Sequence, residues 1–401
     1  MSKSNKDFFS NKKEWSKIKD ALLLGYLPEY FSKVLYTNKP ILYIDCFAGK
    51  GKFDDGEDGS PRFALQARRK ALLQSHASFK KIDTIFIEAQ YSSELKNNIS
   101  DFETDGAVSV YNGKYEKEIE KILNVSQGKN IFLYIDPYGV KSLHFSFFEK
   151  LAKEDKVEFL LNFNSFGFLR AGLSALHLTG INFTFYDDEE LDSVEPVYTF
   201  EDTADLPSKL DQVAGGDYWK DIVINFKNGK IDSYQAEKLF TQKYIERLQE
   251  HFKYVLNMPI KLKSSFQPKY RMIHVSNHED GCYLMAENIS RQTDKLVVEI
   301  QSNGQPSLFE ESVENEIIDL QEIKIKLLTI LTLEVHLKTL IVTFFNRFGM
   351  ICKVSDVIDA LKELEKELKI QIKRIPAYTK HNKESRFWEE KNEKQLLISK
   401  V

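Results

Sequence analysis

A short tetrapeptide carries the groups that would hold a planar ring bearing an amine. It reads Asp136-Pro137-Tyr138-Gly139 and follows a run of buried-strand character. The Asp136 carboxylate and the Pro137 carbonyl can each accept an amine proton, because proline breaks the local hydrogen-bond ladder, and the Tyr138 ring can stack on the acceptor. The alternative is an ordinary turn that follows a strand and is marked by Asp-Pro.

A glycine-containing loop follows an earlier predicted strand. It reads Asp45-Cys46-Phe47-Ala48-Gly49-Lys50-Gly51. Glycines at such a place let a ligand approach the backbone, and parallel sheets bind ligands at the carboxyl ends of their strands, near the point where the strand order reverses. A structural turn without a ligand explains the loop equally well.

Glu88 ends the next predicted strand. A carboxylate there accepts hydrogen bonds from both ribose hydroxyls in dinucleotide-binding folds. Its separation from Gly51 exceeds the usual spacing of ~20 residues, and the excess is the loop Asp54–Ser60. The alternative is a carboxylate before a helix N-terminus, where the helix macrodipole favours negative charge.

The elements that must position these residues form a repeated β-α pattern. Runs rich in Ile, Val, Phe and Tyr predict strands at Ile41–Asp45, Ile82–Glu88, Ala107–Tyr111, Ile131–Asp136 and Val157–Phe163. Amphipathic stretches predict helices at Pro61–Ser75, Ser92–Phe102, Lys114–Leu123 and His144–Ala152. Gly59-Ser60-Pro61 predicts a helix start with the Ser60 hydroxyl as N-cap. The pattern predicts an α/β fold with a doubly wound, Rossmann-like sheet.

The motifs resemble those of class I S-adenosylmethionine-dependent methyltransferases that modify amino groups of nucleobases. Asp45-x-Phe47-Ala48-Gly49-x-Gly51 resembles their D-x-F-x-G-x-G cofactor motif, and Asp136-Pro137-Tyr138 resembles their D-P-P-Y/F catalytic motif. More narrowly, the chain resembles the three-Cys-motif partner (TcmP) family over residues 15–295. The form D-P-Y-G is closer to that of enzymes methylating the guanine N2 amine of transfer RNA.

This resemblance implies S-adenosyl-L-methionine as cofactor and a separate three-Cys-motif protein as partner. It implies cofactor contacts from Asp45, Phe47, Ala48, Gly49 and Gly51 around the methionine part, from Glu88 at the ribose and from Asn112 at the adenine edge. It also implies that the acceptor is held by Asp136, Pro137 and Tyr138.

We therefore expect transfer of a methyl group to an exocyclic amine of a nucleic-acid base, by direct displacement and without a metal. A catalytically silent methyltransferase-like subunit that binds a three-Cys-motif protein, nucleic acid or both is the alternative. A nicotinamide-dependent oxidoreductase fits less well, because Phe47 stands where that fingerprint needs glycine.

An acidic insertion and a linker are predicted farther along the chain. Residues 181–211 hold ten acidic residues against one lysine, which predicts an exposed segment in an insertion at about 170–235. The stretch Ser302–Ser307 predicts a linker. The domains are therefore expected at 1–300 and 310–401. Between insertion and linker, the predicted elements are a helix at Gln235–His251 and extended runs at Phe252–Met258 and Tyr270–Ser276.

The C-terminal region has the element order of a winged-helix-like α+β module. Helices are predicted at Leu327–Arg347 and Ser355–Lys369, and strands at Ile370–Ile375 and Gln395–Ser399. Residues 321–401 carry 16 basic residues against 11 acidic ones. Nucleic-acid contact is predicted for Lys373, Arg374, Lys380, Lys383, Arg386 and Trp388. A solvated hairpin that docks a protein is the alternative.

Composition is typical of a globular protein. With 29% charged and 42% hydrophobic residues, disorder and collagen-like architectures are excluded, and the net charge of -4 argues against a surface that is basic throughout. Three scattered cysteines and eight histidines without ligand spacing predict no metal site. The N-terminus lacks an apolar signal segment, and charges interrupt the apolar run Leu327–Phe345, so a cytoplasmic protein without a membrane span is expected.

Overall fold

The computed structural model describes residues 14–124, 126–137, 139, 143–154, 156–178, 205–260, 268, 270–302, 319–391 and 393–401. These residues belong to two compact units. The first unit takes its residues from Met1–Val255 and Pro259–Asn277, and the second from Leu256–Met258 and His278–Val401.

The first unit is built on a seven-stranded sheet. Its strands are β1 (Ile41–Asp45), β2 (Ile82–Glu88), β3 (Val108–Asn112), β4 (Asn130–Ile135), β5 (Val157–Phe163), β6 (Tyr254–Ile260) and β7 (Tyr270–Ser276). They lie in the order β3-β2-β1-β4-β5-β7-β6. Strands β1 to β5 are parallel and β7 is antiparallel to β5. This mostly parallel order confirms the α/β prediction and is consistent with a Rossmann-like methyltransferase sheet.

Nine helices are described in this unit, and those predicted at 61–75, 114–123, 144–152 and 235–251 lie within two residues of the predicted bounds. The nine are α1 (Glu14–Leu35), α2 (Ser60–Gln74), α3 (Ser92–Asn98), α4 (Tyr115–Asn124), α5 (Phe145–Leu151), α6 (Ser165–Ala175), α7 (Leu206–Ala214), α8 (Trp219–Lys227) and α9 (Ser233–Gln249). The predicted helix Ser92–Phe102 ends early, because a 3-10 helix, Ser100–Asp105, replaces its last turn.

Both faces of the sheet are buried, which explains why β1, β4 and β5 are apolar along almost their whole length. Successive side chains of a strand point to opposite faces. In β1, Leu42 and Ile44 join the larger core, whereas Tyr43 stacks on Phe132 of β4 with ring centroids 6.0 Å apart. Tyr26 of α1 lies 5.7 Å from the same Phe132 ring. The N-terminal helix therefore packs on the Tyr43 face.

The prediction of an exposed segment at 181–211 is wrong at its C-terminal end. Leu206 and Leu210 are fully buried, because helix α7 turns these two residues, four positions apart, toward the core. Acidic residues dominate the count in this stretch, yet the spacing of the apolar ones decides the packing. Residues 179–204, with most of the acidic segment 181–211, lie outside the described residues.

The second unit combines helices with a small antiparallel sheet. Its elements are α10 (Glu279–Ser302), α11 (Leu320–Ile330), β8 (Val335–His336), α12 (Leu337–Phe348), α13 (Val354–Lys366), β9 (Ile370–Ile375) and β10 (Gln395–Lys400). The strand order is β8-β10-β9, and β10 runs antiparallel to both neighbours. Its likeness to a winged helix stays a prediction.

The predicted continuous helix Leu327–Arg347 is wrong. Helix α11 ends at Ile330, and the residues Val335 and His336 pair with β10 before α12 begins. Leu333 is 76% exposed, so the apolar run is not buried throughout. Strand pairing outweighs helix propensity here because it satisfies backbone groups that the helix break leaves open. Most of the predicted linker, residues 303–307, lies outside the described part of the chain.

Among the described helices, none has the length and apolar character required to cross a bilayer. The three cysteines, Cys46, Cys282 and Cys352, are all buried as free thiols.

Candidate functional site

Three carboxylates lie at the carboxyl ends of adjacent parallel strands. Asp45 ends β1, Glu88 ends β2 and Asp136 follows β4 directly. Since side chains alternate along a strand, all three point away from the larger core, which takes Ile87 of β2 and Ile135 of β4. The order β2-β1-β4 brings them to the point where the strand order reverses, as the sequence predicts.

The glycine loop after β1 remains tied to both neighbouring strands. The Cys46 N–H donates to the Tyr134 carbonyl at 2.9 Å, and the Ala48 N–H donates to the Ile87 carbonyl at 3.1 Å. The backbone then turns through left-handed conformations at Gly49 and Gly51, with φ of 61° and 74°.

A side chain at Gly51 would be strained and would force Leu95 to shift. A Cβ there would lie 2.8 Å from Leu95 Cδ1, and the Gly51 carbonyl accepts the Gly59 N–H at 3.0 Å. These contacts, with the positive φ, explain why the loop needs glycine at this position. The packing of the loop against Leu95 therefore favours glycine at position 51.

Asp45 is completely buried. The Ser60 hydroxyl donates to its Oδ2 at 2.6 Å and the Phe47 N–H donates to its Oδ1 at 3.2 Å. Burial and, to a smaller extent, the charges of Asp136 and Glu88 raise the pKa of Asp45 to about 7 against the opposing effect of these hydrogen bonds. Asp45 can therefore exchange a proton near neutral pH.

Ser60 departs from its predicted role. The N-cap of α2 is Gly59, without a side-chain cap, and Pro61 follows inside the first turn. The Ser60 hydroxyl is instead directed to Asp45. A serine before proline at a helix start signals a cap in sequence, and the nearby buried carboxylate redirects it.

Glu88 binds the backbone of two loops. Its Oε2 accepts the Gly49 N–H at 2.8 Å, and its Oε1 accepts the N–H groups of Gln90 at 2.6 Å and Tyr91 at 3.0 Å. Asn112 is the partner of Glu88 across the β2-β3 pair and is exposed. The two residues predicted for ribose and adenine are thus neighbours at the sheet edge.

The other residues of the predicted loop have distinct environments. Ala48 is buried and Phe47 is half-buried, with its ring 5.0 Å from that of Tyr115. Phe47 therefore forms the transition from the loop to the larger core, where a smaller residue would leave Tyr115 without this contact.

Asp136 is held by two side chains that the sequence does not predict. Lys19 Nζ of α1 lies 2.6 Å from Oδ2, and the Asn162 Nδ2 of β5 donates to Oδ1 at 2.7 Å. Pro137 is half-buried, and Tyr138 lies outside the described residues. The Lys19 ammonium also lies 5.4 Å from the centre of the Tyr270 ring.

The charges around the site are mainly negative. The carboxylates of Asp45, Glu88 and Asp136 meet here, and Lys19 is the cation paired with Asp136. In the described part of the chain, no group of three or more His, Cys, Asp or Glu side chains is arranged to hold a metal ion. An organic cation therefore suits this site better than an anionic ligand.

The predicted basic residues of the second unit divide into two groups. Lys373, Lys380, Lys383 and Arg386 are exposed. Arg374 instead makes a bidentate ion pair with Glu365, at 2.8 and 3.0 Å.

Arg374 lies in β9 and also contacts the segment between β9 and β10, which together form a hairpin. It donates to the Phe387 carbonyl at 3.2 Å and lies 5.3 Å from the centre of the Trp388 ring. Arg374 thus contacts both Phe387 and Trp388, and nucleic-acid contact by Arg374 and Trp388 stays a prediction.

No family model matches the chain, and no curated protein does so. A solved structure of a candidate O-methyltransferase from Klebsiella pneumoniae is similar at a TM-score of 0.28 and 9% sequence identity, with 68% of this chain and 94% of that chain covered. The function is therefore inferred from the residues of the chain itself.

Proposed function

We propose that the chain transfers a methyl group from S-adenosyl-L-methionine to an exocyclic amine of a nucleic-acid base. The observation that carries this proposal is the set of carboxylates Asp45, Glu88 and Asp136, which end adjacent parallel strands beside a glycine loop. Carboxylates at such an edge suit a ligand with a sulfonium and an ammonium group. They would repel the pyrophosphate of a dinucleotide, which binds at positive helix N-termini.

The residues of the first unit fit the cofactor in three places. The Glu88 carboxylate has about four lone-pair positions, and three backbone N–H groups use three of them, which leaves one for a ribose hydroxyl. Asn112 beside it would meet the adenine edge. Gly49 would admit the methionine part to the backbone, and the ionised form of Asp45 would balance its positive charge.

Bound S-adenosyl-L-methionine would supply an electrophilic methyl group on a positively charged sulfur. Asp136 and the Pro137 carbonyl would accept the two N–H groups of the acceptor amine and direct its lone pair at that methyl group. The N–C bond forms as the C–S bond breaks, both electrons of the broken bond stay on sulfur, and the amine then releases one proton to solvent. Catalysis is then positioning with electrostatic support, and a paired base must first leave its stack.

The test is transfer of labelled methyl groups to synthetic DNA and RNA oligonucleotides that contain all four bases. We expect the wild-type chain to label one of them and Asp136→Ala to abolish labelling while S-adenosylhomocysteine still binds. Asp221→Ala, an exposed acidic residue of α8, is the matched control and keeps full activity. No cofactor binding at millimolar concentration would contradict the proposal.

A catalytically silent subunit is the second candidate, and one observation favours it. Both oxygens of Asp136 and both oxygens of Glu88 already accept hydrogen bonds from the chain itself. A domain whose site carboxylates already have hydrogen-bond donors could bind a separate three-Cys-motif protein as a scaffold, which is the partner that the family resemblance implies. Co-purification with such a partner, and unchanged activity of the pair with Asp136→Ala, would favour this candidate.

The exposed basic residues of the second unit are proposed to contact the nucleic acid. Helix α13 is a poor candidate for that role, because its sequence carries four acidic residues against two lysines and phosphates repel it. The hairpin tip with Lys380, Lys383 and Arg386 is the better one.

The hairpin is tested by replacing Lys380, Lys383 and Arg386 with Gln together. We expect weaker binding of single-stranded oligonucleotides and a shallower dependence on salt, measured by fluorescence anisotropy. A matched triple replacement of Lys326, Lys366 and Lys400 on the same unit controls for net charge. Equal losses in the two triple variants would contradict a role for the tip.

A further inference from the structure

Lys19 is an unusual residue for the interior of a helix that packs on a sheet. It is 7% exposed, and its neighbours Ile18 and Leu22 are buried apolar residues. A lysine is almost never buried unless its charge is paired. The described partner is the Asp136 carboxylate, 2.6 Å away and 117 residues later in the chain.

Asn162 completes the contact from the other side. It is 3% exposed, donates from Nδ2 to Asp136 Oδ1, and its own Oδ1 is buried without a hydrogen-bond partner. An amide that leaves its carbonyl unsatisfied gives up a hydrogen bond in order to hold this carboxylate. Asp136 Oδ1 thus receives one donor and Oδ2 receives two, because the Tyr134 hydroxyl of β4 also donates to Oδ2 at 3.5 Å.

We propose that Lys19 and Asn162 are positioning residues that fix the plane of the Asp136 carboxylate for the acceptor amine. Each carboxylate oxygen has two lone pairs, so Oδ1 keeps one for the acceptor amine after Asn162 has donated, whereas Lys19 and Tyr134 use those of Oδ2. With both oxygens held, the carboxylate cannot rotate about its last bond without losing a charged hydrogen bond. The inference rests on the proposed methyl transfer.

The arrangement also restricts the class of acceptor. An ammonium group, as on a lysine side chain, would be repelled by the Lys19 charge beside Asp136. A neutral amine conjugated to an aromatic ring avoids that repulsion, and the half-buried Tyr270 ring next to Lys19 offers it a flat contact. The N-terminal helix therefore belongs to the acceptor site and selects a neutral aromatic amine.

The experiment compares Lys19→Met and Lys19→Arg with the wild-type chain in methyl transfer to the same synthetic oligonucleotides. Methionine keeps the length of the side chain and removes its charge, and we expect kcat to fall about 100-fold, the loss that a misplacement of about 1 Å can cause. The KM for S-adenosyl-L-methionine should stay within about twofold. Arginine should restore part of kcat, because it can still donate to Asp136.

Lys33→Met is the matched control. Lys33 is an exposed lysine of the same helix, so its replacement makes the same chemical change away from Asp136, and kcat should not change. Urea unfolding of all variants separates a loss of stability from a loss of positioning.

A double-mutant cycle isolates the contact. In an Asp136→Asn background, Lys19→Met should lower kcat much less than it does in the wild-type chain, since the group to be positioned has changed. An active wild type whose kcat survives Lys19→Met, or a cycle in which the two losses simply multiply, would overturn this inference alone. A wild-type chain that transfers no methyl group would overturn the proposed function, and the inference with it.

Discussion

The two halves of the candidate site are held by different kinds of contact. The loop half consists of Asp45–Gly51, Ser60 and Glu88, and its carboxylates mainly accept backbone N–H groups. The acceptor half consists of Asp136, Lys19 and Asn162, and its contacts join side chains 117 and 26 residues apart. Backbone holds one half and side chains hold the other.

This difference determines which residues each half of the site requires. A backbone N–H is present whatever the residue, so the loop half depends on conformation and on the glycines that permit it. The acceptor half depends on the chemical identity of three side chains. Single substitutions should therefore alter acceptor chemistry without disturbing the loop half, and the reverse.

The largest expected effect concerns the buried carboxyl of the loop half. The pKa of Asp45 is raised to about 7 by burial, so between about pH 4 and pH 7 the folded chain keeps a proton that the unfolded chain has released. The free energy of unfolding then falls as the pH rises through this window, by on the order of 4 kcal/mol at most. Asp45→Asn should remove that dependence in urea unfolding at a series of pH values, whereas Asp221→Asn should keep it.

The next prediction is that only the loop half contributes to S-adenosylhomocysteine binding. Glu88→Gln removes the charge that receives three N–H groups, and charged hydrogen bonds contribute about 1.5–3 kcal/mol each. We expect it to weaken S-adenosylhomocysteine binding about 10- to 100-fold in calorimetry, while Asp136→Asn leaves the affinity unchanged. Similar losses in both variants would mean that the two halves are not separate.

A smaller effect is expected at the loop backbone. Gly51→Ala would strain a residue with φ of 74° and bring its Cβ against Leu95, at a cost of about 1–2 kcal/mol for the left-handed conformation alone. Thermal unfolding should show the loss of stability. Gly56→Ala provides the control, since its φ is also positive but nothing lies within 4 Å of its Cβ. If both variants lose the same stability, the Leu95 contact contributes nothing.

The smallest effect belongs to Ser60→Ala. It removes the hydroxyl that donates to Asp45 and lowers its pKa, so the pKa of Asp45 should rise further and the pH window should extend upward. The loss of stability at high pH should be about 1 kcal/mol. Ser100→Ala, an exposed serine whose hydroxyl donates to a local carbonyl, should leave the window unchanged.

Much of the sheet could be predicted from the sequence. Strands β1, β2, β5 and β7 have the predicted bounds, because buried strands are short, apolar and bounded by turn residues. The same reasoning brings Asp45, Glu88 and Asp136 to one edge. The prediction of one helix fails at Leu327–Arg347. The apolar periodicity continues through β8, and β8 is a strand only because it pairs with β10.

The acceptor half could be predicted only in part. Lys19 and Asn162 reach Asp136 across distant chain segments, and no local pattern signals such a contact. A weak signal exists in β5, where Glu158 and Asn162 are polar residues on an otherwise apolar strand and share one face. Ser60 carries a stronger but misleading signal, since Ser-Pro at a helix start predicts capping.

The pairing of Lys19 with Asp136 has a consequence for the order in which the site assembles. A ribosome makes the chain from its N-terminus, and domains generally fold as units during synthesis. Every partner of the loop-half carboxylates has left the ribosome soon after Tyr91. The buried charge of Lys19 must wait for Asp136, which follows β4. The helix that opens the described chain can therefore dock with its lysine neutralised only when the fourth strand has emerged.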